Sequence, residues 1–154
     1  KSAYMNPSKE HIYREASIYY DHLQLAKNLY EAALQDNIIK IAVYVEHNRA
    51  ELAMPHFADI QPHLTAVLSG GCWIDIANQS VNKGAAITAI QQKYGIDRAE
   101  CMAFGDYLND VELLKSCEES YCMANGHPDL KKIAKHIADS NDNNGVLKIL
   151  TQLF

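Results

Sequence analysis

Asp106 and Asp110 stand four residues apart in the string Phe104-Gly-Asp-Tyr-Leu-Asn-Asp110, after an apolar run and at the head of a helical pattern. That spacing is about one helical turn, so both carboxylates can face one point. Acidic oxygens converging there suit a hard, oxygen-seeking cation such as Mg²⁺. The same residue types also cap helix starts and favour the positive end of the helix dipole, so an acidic N-cap is the competing reading. Gly105 ahead of them lets the backbone turn and be approached closely. In open parallel sheets, ligands gather at the carboxyl ends of strands, where Asp106 would stand.

Lys83, in Val81-Asn-Lys-Gly-Ala85, opens another helical pattern. A lysine there can set a positive charge beside an anion held by helix-terminal N–H groups. An ordinary solvated lysine is the plainer alternative. Two further polar, glycine-bearing loops follow apolar runs: Met123-Ala-Asn-Gly126 and Asn141-Asp-Asn-Asn-Gly-Val146. Each alone is ordinary turn chemistry. His56 and His63 could share a face, but no carboxylate or cysteine completes a zinc ligand set with them, and they read as exposed or capping residues. Tyr13, Tyr19, Tyr20 and Tyr30 read as packing or surface residues, and Trp73 as core. None of Cys72, Cys101, Cys117 and Cys122 forms a C-x-x-C pair, so neither zinc nor a disulfide framework is expected. Cys101 and Cys122 read as small buried hydrophobes.

The elements that must position these residues change style near residues 78–82. Upstream, residues 1–22 read as loop with a short helix. A helical stripe begins at Leu23 with Leu25, Leu29, Ala32 and Ala33 on one face. Residues 38–45 read as a strand, and Pro55 as the start of a short helix reaching about Leu64. Residues 64–68 and 73–77, on either side of Ser69-Gly70-Gly71, predict a hairpin. This is an α+β pattern. Downstream, helices over 84–94, 109–116, 128–135 and 146–154 alternate with strands over 100–104, 120–124 and 136–139. That alternation predicts βαβ units and a parallel sheet.

Taken together, the segments NKGAAI (82–87), MAFGDYLNDVELL (102–114), CMANGHPDLKKIA (122–134) and IADSNDNNGV (137–146) resemble the C-terminal half of Cof-type hydrolases in the haloacid dehalogenase-like superfamily. The resemblance runs from about Trp73 to the C-terminus. It implies an α/β fold: a partial Rossmann-like parallel sheet with helices over residues 80–154, preceded by the end of an α+β cap over residues 1–79. It also implies phosphoryl transfer through an aspartyl-phosphate, with Mg²⁺ and a lysine offsetting the repulsion between phosphate and carboxylate. By that resemblance Lys83 is the lysine, Asp106 the metal-binding aspartate, and Asn109 the residue that holds phosphate or orients the lysine. Asp110 is the second acidic position, either a water-mediated metal ligand or a partner of Lys83. The D-x-D segment that supplies the nucleophile in such enzymes is not found in these residues. The expectation is a phosphatase of small phosphorylated metabolites such as sugar phosphates in a longer parent, with this chain inactive alone. The alternative is a truncated or degenerate relative that binds a metabolite or a protein partner.

The formal net charge of −5 argues against nucleic acid as the partner, because phosphate backbones are bound through clustered Lys and Arg. Lys131, Lys132 and Lys135 read as the solvated face of a helix. No apolar run approaches the length of a membrane span, and with no signal peptide recognised a cytoplasmic location is expected.

Overall fold

A computed structural model describes residues 2–6, 9–60 and 62–153. The upstream half begins with strand β1 (Ala3–Met5), helix α1 (Glu10–Tyr19), strand β2 (Leu23–Leu25) and helix α2 (Leu29–Leu34). Strands β1 and β2 pair in parallel, Ala3 opposite Leu23 and Met5 opposite Leu25. Here the structure corrects the predicted helix from Leu23. The apolar residues Leu23 and Leu25 serve a two-residue strand period, and the helix starts only after Asn28. The Asn28 side chain accepts the N–H groups of Tyr30 and Glu31, a capping arrangement that fixes the start. Residues 10–19, expected as loop with a short helix, form three turns with Ala16 buried. Pro7 and Phe154, at the edges of two predicted segments, lie outside the described residues.

Strand β3 (Ile41–Tyr44), helix α3 (Ala50–Ala53), strand β4 (Leu64–Gly70) and strand β5 (Trp73–Asn78) follow. The helix expected from Pro55 begins earlier, at Ala50, and Pro55 sits in the 3-10 turn that continues it. The predicted hairpin is present: β4 and β5 pair antiparallel, and β3 adds to the other side of β5, giving the order β3-β5-β4. Side chains alternate across the pleat. Ile74 and Ile76 therefore enter one apolar cluster with Ala50 and Leu68, while Trp73 and Asp75 point to the opposite face.

Helix α4 (Lys83–Tyr94) opens the downstream half. Strand β6 (Met102–Gly105), helix α5 (Val111–Lys115), strand β7 (Glu119–Met123), helix α6 (Pro128–Ile133), strand β8 (His136–Ala138) and helix α7 (Gly145–Leu153) alternate after it. The strands are parallel in the order β6-β7-β8, as the alternation predicts. Ala103, Leu114, Cys117, Cys122 and Leu130 form the core between strands and helices. Parallel strands place their carboxyl ends along one edge. The loops after β6, β7 and β8 therefore gather there, and the predicted polar segments are these three loops.

Candidate functional site

Asn82 sets the position of Lys83. Its backbone is extended and its side-chain oxygen accepts the N–H of Ala85 at 2.8 Å, so helix α4 starts with Lys83 in its first turn. Gly84 then lets α4 approach α5 closely. A Cβ at residue 84 would lie 2.3 Å from the Glu112 carbonyl oxygen, inside any allowed contact. That approach brings Lys83 to the loop after β6, where its Nζ lies 2.5 Å from Asp110 Oδ1. The lysine is not the free solvated side chain of the plainer alternative: it is half exposed, and its partner is 4% exposed.

Asp110 organises the loop. Its Oδ2 accepts the backbone N–H of Asp106 at 2.9 Å and of Tyr107 at 3.3 Å. Gly105 is required underneath, because a Cβ there would stand 2.6 Å from the Asp110 Cβ. A buried carboxylate is tolerated when charge-assisted hydrogen bonds replace water. With these three bonds made, one lone pair of Oδ1 is left on a buried side chain.

Asp106 differs. It is exposed at the strand tip, so the capping reading fits Asp110 and not Asp106. Partial burial and then the negative charge of Asp110 push its carboxyl above the ordinary range, with Lys83 pulling the other way. Charge that neighbours disfavour is charge a cation would relieve. Oxygen is the only donor type offered, which fits a hard divalent ion. Among the described residues no group of three or more His, Cys, Asp or Glu could hold a metal. A cation at Asp106 would therefore need further ligands.

The other two loops brace this one. His127 N donates to the Asp106 carbonyl at 2.8 Å, and the Tyr107 and His127 rings meet edge to face at 5.2 Å. Asn125 Nδ2 donates to Asn141 Oδ1 at 2.7 Å, joining the loops after β7 and β8. Asp139 accepts from Ser140 N, Asn143 Nδ2 and Lys148 Nζ. These bonds, with the lysine foremost, hold its carboxyl down at about 2.

Lys83 and Asn109 also line a cleft of about 570 Å³ whose opposite wall belongs to the upstream half. Tyr19, Tyr20, Trp73, Lys40 and Asp75 stand on that wall. Lys40 Nζ lies 3.1 Å from Asp75 Oδ2, and Trp73 packs edge to face against Tyr19 and Tyr44. Sequence reading placed Trp73 in the core and gave Tyr19 and Tyr20 no site. The period-two pattern of 73–77 did hold a signal, since it separates Trp73 and Asp75 from Ile74 and Ile76. It did not say which face was the cleft. The structure brings Lys83, Asp106, Asn109 and Asp110 into one region and leaves His56 and His63 outside it.

A family model described as haloacid dehalogenase-like hydrolase matches residues 1–150. The chain is 35% identical over 120 residues to a putative phosphatase of Streptococcus pyogenes, covering 75% of this chain and 44% of that protein. It is 28% identical over 143 residues to the 5-amino-6-(5-phospho-D-ribitylamino)uracil phosphatase of Escherichia coli, covering 90% of this chain and 51% of that protein. It superposes on a crystal structure of a Streptococcus mutans protein with a TM-score of 0.88 at 29% identity, covering 99% of this chain and 58% of the other. The chain thus spans about half the length of these relatives.

Proposed function

The chain belongs to the haloacid dehalogenase-like hydrolases, among the Cof-type phosphatases, and on that premise we propose that it supplies the lysine-and-metal half of a Mg²⁺-dependent phosphomonoesterase. The observation that carries the proposal is the Lys83–Asp110–Asp106 arrangement at the carboxyl edge of a parallel sheet. Asp106 would hold the cation, which supplies charge neutralisation for the phosphoryl group. Lys83, with three N–H donors and a half-exposed ammonium, places positive charge where negative charge concentrates in the transition state. Asn109 orients the phosphoryl group beside it. Asp110 keeps Lys83 and the Asp106 backbone in place. Of the two roles implied for Asp110, its three hydrogen bonds favour partner of Lys83 over metal ligand.

By the family resemblance, none of these positions supplies the nucleophile. The nucleophilic carboxylate would come from a segment outside these residues and form an aspartyl-phosphate, which water then opens. Residues 1–79 would be the end of the cap and 80–154 the second half of the core, in a cytoplasmic enzyme. The substrate would be a small phosphorylated metabolite, with sugar phosphates the favoured group. Relatives named for a phosphoribitylamino-uracil and for HMP-PP support small phosphorylated substrates. No helix among the described residues is long and apolar enough to cross a membrane.

The test is to assay the 154-residue chain and the full-length protein with p-nitrophenyl phosphate and a sugar-phosphate panel, in Mg²⁺ and in EDTA. Turnover by the full-length protein in Mg²⁺ alone, with none from the short chain, is the expected result. Magnesium-dependent turnover by the short chain would refute the missing-nucleophile account.

A further inference from the structure

The string Gly105-Asp106-Tyr107-Leu108-Asn109-Asp110 contains an apolar pair at its centre, in a loop otherwise built of polar residues and glycine. In a loop facing only water and a charged substrate, such a pair has no local role. The structure gives it one. Tyr107 and Leu108 pack against the apolar cluster of Ala50, Leu68, Ile74 and Ile76 in the upstream half, and the Tyr107 ring also meets His127 of the downstream half. The backbone on either side is held by the opposite partner. Asp110 Oδ2 accepts the N–H groups of Asp106 and Tyr107, and His127 N donates to the Asp106 carbonyl. One short loop therefore has its side chains seated in one sheet's core and its backbone tied to the other sheet's edge.

From this geometry we infer that Tyr107 and Leu108 are positioning residues that couple the seating of the upstream half to cation binding at Asp106. The inference rests on the reading of Asp106 as the metal-holding carboxylate. Asp106 lies next in the chain to Tyr107, and its backbone N–H is fixed only while Asp110 faces the loop. When the upstream half is seated, the loop has one conformation and Asp106 points from the strand tip. When it lifts away, Leu108 loses the cluster that fixes it and Tyr107 keeps only its contact with His127, so the loop must be ordered when the cation binds. A cation should then bind more tightly to the seated form. Linkage requires the reverse as well: the bound cation must favour the seated form by the same factor. Coupling of this kind commonly amounts to about 5- to 150-fold in affinity.

Two readouts, neither needing turnover, test this in the full-length protein. The first is Mn²⁺ affinity from the electron spin resonance of free Mn²⁺. The second is hydrogen-exchange protection of residues 64–76 with and without Mg²⁺. Leu108→Ala should weaken Mn²⁺ binding at least about 5-fold and abolish the Mg²⁺-dependent gain in protection. Leu108→Met should restore both. Leu68→Val, which loosens the receiving cluster from the other side, should weaken Mn²⁺ binding in the same direction and serves where Leu108→Ala does not fold. Mn²⁺ affinity unchanged in these variants, or Mg²⁺ protection of residues 64–76 that persists without Leu108, would overturn the coupling while leaving the metal role of Asp106 standing. Absence of Mn²⁺ binding by the unaltered protein would overturn the metal role and the coupling together.

Discussion

The antiparallel sheet over residues 41–78 and the parallel sheet over 102–138 offer their polar side chains in different ways. In the first, residues on alternate positions of a strand reach the cleft, so Trp73 and Asp75 present a face while Ile74 and Ile76 build the core behind it. In the second, polar residues reach the site from strand ends, so Asp106, Asn125 and Asp139 each follow a strand and crowd one edge. Each sheet holds a carboxylate paired with a lysine. Asp75 with Lys40 lies partly exposed on a face, whereas at the edge Asp110 is buried beneath a half-exposed Lys83 and also holds two backbone N–H groups. A face leaves each side chain largely independent of its neighbours. An edge makes the backbone, the ion pair and the loop depend on one another.

The sharpest way to break that contrast is to remove each carboxylate. Asp110→Ala strands two loop N–H groups and unpairs Lys83, and should cost about 2–4 kcal/mol of stability. Asp75→Ala removes a partly exposed pair and should cost no more than about 1 kcal/mol. Urea unfolding of the two variants side by side measures both. Equal losses would show that the edge is no more interdependent than the face.

Gly84→Ala should come next. Its Cβ would meet the Glu112 carbonyl, so α4 must shift away from α5, at about 1–3 kcal/mol. The Lys83–Asp110 contact would lengthen with it. A melting temperature like that of the unaltered protein would remove the close approach as the reason for glycine after Lys83.

A smaller effect sharpens the same edge by pH. The Asp139 carboxyl is held at about 2 by Lys148, Ser140 N and Asn143. Its folded value lies below the unfolded one, so its contribution is fully present above the ordinary carboxylate range and is lost as pH falls toward about 2. Replacing Lys148 with Met should raise that carboxyl and flatten the fall in stability on acidification between about pH 4 and pH 2. An unchanged acid limb would contradict the Lys148 attribution.

Legibility in the sequence follows the same division. Helix α4 announces itself through Ala86, Ile87 and Ile90 on one face and Gly95 at its end, both local signals, while its Asn82 cap came with the structure. The alternation of strand and helix after it gives the parallel sheet without any long-range information. The β4–β5 hairpin is likewise local, closed by the turn at Gly71-Cys72 between the paired Gly70 and Trp73. What sequence reading missed depends on partners far along the chain. Leu23–Leu25 is a strand because Ala3–Met5 lies beside it, and the stripe that suggested a helix gave no hint of that neighbour. Tyr19 and Tyr20 reach the cleft through helix α1 lying near Trp73. Asp106, Asn109, Asp110 and Lys83 were legible as a group through spacing and resemblance. The division of labour between Asp106, exposed and charge-disfavoured, and Asp110, buried and held by three hydrogen bonds, needed the structure.

That division also allows the most direct test of the metal reading. Burial and the charge of Asp110 raise the Asp106 carboxyl, so the folded protein holds this proton more tightly than the unfolded chain. Stability is therefore lost as pH rises from the unfolded carboxylate value through the folded one, and above that window the ionised side chain is a net cost. Thermal melts of the full-length protein and its Asp106→Asn variant, at neutral pH with and without Mg²⁺, read this out. Without Mg²⁺ the variant should melt at or above the unaltered protein, by less than about 1 kcal/mol after solvent screening. With Mg²⁺ only the unaltered protein should gain. A variant that melts lower without Mg²⁺, or that gains as much from Mg²⁺ as the unaltered protein, would contradict the assignment of Asp106 as the carboxylate that holds the cation.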